Sequence, residues 1–111
     1  MKKLLSIALL LSLFAVSNSF GAAYKGQIMF ANDCLSCHTN PQEFITTKTK
    51  TEWVSNIGEN GIGLAKIHLK SEKAKSSWKY FYSKKYTKKI RHLKDFLVEY
   101  AKDSGNIPAC K

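Results

Sequence analysis

The sequence predicts an all-α fold, one small helical domain, and three observations predict it. Near the C-terminus Ile90, Leu93, Leu97, Tyr100 and Ala101, with Phe96 beside them, recur at the spacing of an amphipathic helix. Tyr24 to Asn32 reads as a shorter helix whose apolar side carries Tyr24, Ile28 and the Met29-Phe30 pair. Directly after it stands Cys34-Leu35-Ser36-Cys37-His38, two thiols followed at once by an imidazole, the pattern that attaches a c-type haem. The expected architecture is therefore a small helical domain wrapped around one covalent haem.

The chemistry requires that order of residues. Each cysteine sulfur can add across one haem vinyl group, the two intervening residues let both reach the ring edge, and the adjacent His38 can then swing under the iron as proximal ligand. Its second ring nitrogen is left to donate a hydrogen bond that fixes ring orientation and tunes the metal. Three other readings compete. Zinc could be held with Cys110 or His68 as a fourth ligand, but structural zinc sites usually draw on two separated pairs, and one pair exists here. A thioredoxin-like redox pair would want a βαβ context that the flanking sequence lacks. An ordinary disulfide is the third.

The N-terminus has a basic start at Lys2 and Lys3, then Leu4 to Val16 without a charge, too short to span a bilayer comfortably. Residues 1–23 are read as a signal peptide, with cleavage near Ala23 or after Gly21; a retained anchor is the alternative. Cleavage after Ala23 leaves 24–111 as one domain, whose own apolar core would be marginal and is completed by the haem. Export also matches the compartment in which thiols are handled oxidatively, so the periplasm is the expected location. Removing Lys2 and Lys3 lowers the formal charge from +10 to +8, and two haem propionates would bring it to about +6. Between Lys66 and Lys94 stand ten Lys and one Arg against the single acid Glu72. Cys110 is left without an intrachain partner, and an exposed tail thiol is the simplest reading of it.

In chain order, Gly26 inside the first helix costs about 1 kcal/mol relative to alanine and wants a packing reason, such as close approach of another helix. Thr39-Asn40-Pro41 reads as a turn, and the polar residues to Lys50 carry no clear period. Thr51 is expected to cap a helix with Trp53, Val54 and Ile57 on one side, Trp53 in the core. Gly58, Gly61 and Gly63 form a flexible hinge; a phosphate-binding loop is disfavoured because no apolar strand precedes them and no Lys-Ser or Lys-Thr pair follows. Leu64 to about Ser83 is expected to be helical with a break near Ser71, and Leu64, Ile67 and His68 then share one face. The aromatics Trp78, Tyr80, Phe81, Tyr82 and Tyr86 are interleaved with lysines. In an exported chain these are read as pocket and helix-packing residues with lysine stems laid along them, and no nucleic-acid partner is expected. Thr87 is the expected cap of the last helix, Ser104 its approximate end and Gly105 its terminating residue. His92 lies roughly 100° from the centre of that helix's apolar stripe, which makes it a weaker ligand candidate than His68.

Together these features resemble the small class I cytochromes c. That family's pattern places a glycine eight residues and an aromatic four residues before the first haem cysteine, matched by Gly26 and Phe30, and a Leu-x-x-Tyr pair in the last helix, matched by Leu97 and Tyr100. The resemblance implies that the two terminal helices cross at the glycine, packed by these residues. The chain departs from the pattern in the middle. The family normally supplies a distal methionine after the motif, whereas no methionine follows Met29 here, and the family's glycine-proline segment is not recognisable. The sixth ligand is then His68, His92, water or nothing, with His68 the expected one.

The expected function is a periplasmic monohaem c-type cytochrome carrying single electrons between redox partners. A His/His pair at His38 and His68 sets a low potential, because methionine ligation raises it. No catalytic residue is identified, so an enzyme is not expected. The expected partners are acidic-surfaced redox proteins such as a reductase or oxidase, met by a monomer whose association slows as salt rises; weak contact with an anionic membrane surface is the alternative for the lysines. The alternative function is a haem-based sensor or ligand-binding protein with an open or weakly held sixth position.

Overall fold

The structure, a computed structural model, describes the backbone of residues 18–108 and the side chains from Ala23 onward; the expected leader up to Ser17 and the tail thiol Cys110 lie outside the described residues. Among the described residues six α-helices follow one another: α1 (Asn18–Asp33), α2 (Pro41–Ile45), α3 (Lys50–Ile57), α4 (Ile62–Leu69), α5 (Trp78–Phe81) and α6 (Lys84–Glu99), with 3-10 turns at Glu59–Gly61 and Glu72–Ser77. No strand occurs among the described residues, and no helix there is long and apolar enough to cross a membrane.

The two long helices make the frame. α1 crosses α6 at Gly26, where an added Cβ would overlap the carbonyl oxygen of His92 and stand 2.5 Å from the Cβ of Phe96. This close approach is the packing reason the glycine required. It also sets the rotation of α1, which buries Ala23, Gly26, Met29 and Phe30 and leaves Tyr24 62% exposed and Ile28 43% exposed. The expected Tyr24–Ile28 side is therefore the outer one, because the face containing the glycine is the face that can touch α6. From α6, Ile90, Leu93, Phe96 and Leu97 are buried, as is Ala101 just beyond its end, with Phe96 at the centre rather than at the edge of the stripe. Its ring lies 5.9 Å from that of Phe30 and 5.3 Å from that of Tyr100.

Local hydrogen bonds decide where the helices begin and end. Ser83 caps α6 by accepting the Tyr86 N–H at 3.3 Å, four residues ahead of the expected Thr87, whose hydroxyl instead donates to the Lys84 carbonyl. α6 stops at Glu99 because the chain beyond it is tied sideways to the start of α3: the Lys102 N–H donates to the Lys48 carbonyl and the Lys50 N–H to the Asp103 carboxylate, both at 2.9 Å. Gly105 does adopt a positive φ of 76°, in the turn that follows. Thr49, not Thr51, caps α3 by accepting the Glu52 N–H at 3.2 Å. Trp53 and Ile57 of α3 are buried while Val54 is 44% exposed. The unassigned stretch after the cysteines contains α2, which Asn40 caps and Pro41 starts.

The glycine segment is a tight turn rather than a loose hinge. Gly58 and Gly61 have φ of 71° and 79° and enclose a 3-10 turn, and the Tyr86 hydroxyl donates to the Gly61 carbonyl at 2.5 Å. Removing that buried donor in Tyr86→Phe is expected to cost about 1–3 kcal/mol, read as a lower urea midpoint at unchanged slope. An unchanged midpoint would show that the bond contributes nothing net. α4 ends at Leu69, and Ser71 makes the expected break before the 3-10 segment.

Candidate functional site

The C-terminus of α1 folds back on itself immediately before the cysteine pair. The N–H groups of Cys34 and Leu35 both donate to the Phe30 carbonyl at 2.9 Å, and those of Cys37 and His38 donate to the Cys34 carbonyl at 3.2 and 2.9 Å. These two consecutive turns place Cys34, Cys37 and His38 on one wall of a single cavity of about 370 Å³. Phe30, Phe44, Trp53, Leu64, Ile67, His68, Phe81, Leu93 and Leu97 contribute to the other walls, and Asp33, Lys48, Asn56, Ser71, Lys73 and Ser77 add the polar groups. The volume and the apolar walls are those of a small-molecule or cofactor site.

Both histidines line this space and lie close to one another. Their ring centres are 6.2 Å apart with planes crossed at 82°. His38 stacks on Phe44 at 4.0 Å and His68 on Phe81 at 4.3 Å, so each imidazole is backed by an aromatic ring. His68 Nδ1 is 2.8 Å from the Leu64 carbonyl oxygen. A carbonyl can only accept, so Nδ1 carries a proton, and in the neutral ring it is Nε2 that has the lone pair a metal needs. The carbonyl partner is the kind of support that orients metal-bound histidines. Burial, and then the charge of His68, holds His38 below the usual imidazole range, which also favours its neutral, ligating form.

A haem fits these residues. Two imidazoles that shared one metal ion, each nitrogen at about 2.0 Å, would have ring centres no more than roughly 6.5 Å apart. The observed spacing falls within that limit. Among the described residues no three His, Cys, Asp or Glu side chains come together as a metal cage, so a tetrahedral zinc set is not formed. Two imidazoles beside two thiols would suit a group that brings most of its metal's donors with it. The thiols are free, and burial first, then Asp33 and Cys37, push the Cys34 thiol up to about 12. A reactive redox cysteine is shifted the other way, so the thioredoxin-like reading gains no support.

His92 does not line the cavity. Its carbonyl lies at the α1–α6 crossing and its Nδ1 is buried without a hydrogen-bond partner, which removes it from iron-ligand geometry. Met29 packs in the core outside the cavity, as a poor ligand should. Sequence reasoning missed Phe44, which sits in a five-residue helix too short to show a period, and Asp33, which immediately precedes Cys34. One Asp33 oxygen lies 3.5 Å from Lys85 Nζ and the other is buried without a partner. Comparison with known protein families, curated proteins and solved structures finds no match for this chain.

Proposed function

We propose that this chain is a single-haem c-type electron carrier that works in the periplasm. The observation that carries the reading is that Cys34, Cys37, His38 and His68 line one apolar cavity, with the two imidazole ring centres 6.2 Å apart. A haem bound there supplies one-electron cycling between ferric and ferrous iron. In this reading the protein's own residues do the rest. Cys34 and Cys37 would be the thiols that tether the group, each S–H adding across one vinyl C=C bond with no atom lost. His38 and His68 would be the imidazoles that hold its iron, and ligation by two imidazoles would keep the potential below that of a His/Met pair. Phe44, Trp53 and Phe81 exclude water and back the ligands.

Partner choice falls to the surface. All ten lysines from Lys66 to Lys94 are exposed. A surface of one sign steers encounter with an acidic-surfaced reductase or oxidase, and the same charge weakly attracts anionic lipid.

The test is maturation of the full chain in a host that exports it and attaches haem, followed by intact mass and absorption spectra. The expected mass is that of residues 24–111 plus one haem, and the expected ferric spectrum is low-spin. His68→Ala is expected to convert it to a high-spin spectrum that binds CO after reduction. Polypeptide mass alone would sink the carrier reading. A wild-type ferric spectrum that is already high-spin and changes with CO would favour the ligand-binding alternative.

A further inference from the structure

We infer that the arm running from Glu72 to Phe81 is the positioning device for His68, with Trp78 and Phe81 as its two contacts; the inference rests on the haem reading above. α4 cannot hold His68 in place by itself. It is eight residues long, and none of its residues is buried; Ile62 and Ile67 are 52% and 53% exposed. Isolated helices of this length are marginal in water, and segments with few buried apolar contacts open most readily. Leu64, Ala65 and Leu69 pack half-buried against the core, and three further contacts from outside bear on its two ends and on the His68 ring. At its start, the Tyr86 hydroxyl holds the Gly61 carbonyl. At its end, the Trp78 indole N–H donates to the His68 carbonyl at 2.8 Å, across ten residues of chain. On the ring itself, Phe81 stacks at 4.3 Å with planes 26° apart.

The arm is anchored where α4 is not. Phe81 is buried and meets Tyr86 edge-on at 4.9 Å and Tyr80 at 5.2 Å, and Tyr86 belongs to α6. The position of His68 is therefore referred to the main helical frame through Phe81 and Tyr86. Trp78 acts differently. The His68 carbonyl already accepts the Ser71 N–H at 3.0 Å, so the indole does not rescue an orphan acceptor. It fixes the backbone of His68 against the arm, while the Leu64 carbonyl fixes the side chain.

The consequence is a ligand that can leave only when the arm yields. An outside ligand for iron competes with His68, so its apparent affinity is scaled by the fraction of molecules in which His68 is off. The experiment measures imidazole binding to the ferric form and CO binding to the ferrous form of the matured full chain. It compares wild type with Trp78→Phe, Phe81→Leu, His68→Ala and Met29→Ala, each first shown by mass to carry one haem. The expected order is weak binding by wild type, tight binding by His68→Ala, and affinity raised about three- to tenfold in Trp78→Phe and about tenfold in Phe81→Leu. Met29→Ala, which thins the core away from the cavity, should melt earlier with wild-type ligand affinity. Wild-type affinity in both arm variants beside a tight His68→Ala would overturn the inference, and so would an equal rise in Met29→Ala. If Phe81→Leu does not fold, Trp78→Phe decides alone. Wild-type affinity in a haem-bearing His68→Ala would instead show that His68 is no ligand, and the inference would fall with that assignment.

Discussion

Gly26→Ala is expected to lower the stability of the matured chain by about 3 kcal/mol or more, against a gain of at most about 1 kcal/mol from helix propensity. The added methyl would overlap backbone, the His92 carbonyl, as well as Phe96 Cβ at 2.5 Å, so no side-chain rotation relieves it. The helices must part, and the contacts that separate are those of Met29, Phe30 and Phe96, all at most 6% exposed. For a domain of this size each kcal/mol shifts the melting midpoint by about 4–8 °C, so a fall of about 12–24 °C is expected by circular dichroism. A fall below a few degrees would mean that α1 and α6 can separate without loss, which would contradict the crossing as the frame of the fold. Position 26 lies outside the cavity lining, so haem retention by mass should persist where the variant folds.

The double substitution Cys34→Ala, Cys37→Ala is expected to remove covalently held haem entirely and, with it, cooperative folding of the middle of the chain. The walls of the cavity from α2 to α5 include Phe44, Trp53, Leu64, His68 and Phe81, and α4 has no buried residue. Trp53 and Phe81 are buried by the protein itself, whereas Phe44 and Leu64 are only half-buried; at about 1.5 kcal/mol or more per apolar side chain, losing cover over these two approaches roughly 3 kcal/mol, a large share of a small domain's stability. The α1–α6 pair has its own core at Phe30, Met29 and Phe96, so partial helical signal should survive while urea unfolding broadens. A double variant that unfolds at the wild-type urea midpoint would show that the domain does not depend on its prosthetic group. Tight noncovalent haem could mask the effect, so the comparison is made after haem extraction under denaturing conditions and refolding.

The helical class, the two long helices and the cysteine–histidine cluster were legible because each is written locally. A stripe at 90, 93 and 97 and a Cys-x-x-Cys-His run need no knowledge of distant residues, and the break at Ser71 and the face shared by Leu64, Ile67 and His68 follow from period alone. Caps were harder. Thr49 and Ser83 were chosen over Thr51 and Thr87 although all four are good capping types. The choice follows from where the chain is tied, at Lys48 and Lys50 by the segment after α6 and at Gly61 by Tyr86.

By itself, then, the amino-acid order pointed to a helical chain, to a close neighbour for Gly26, and to Cys34, Cys37 and His38 as the candidate site residues, with His68 expected and His92 the weaker choice beside them. Only the tertiary structure decided that His68 rather than His92 lines the cavity close to His38, that Tyr24 and Ile28 face outward, and that Phe44 and Phe81 back the two imidazoles. The reason is physical: periodicity states which residues share a face, but the direction of that face is set by the one contact α1 can make at glycine and by the hydrogen bonds that tie loops distant in sequence.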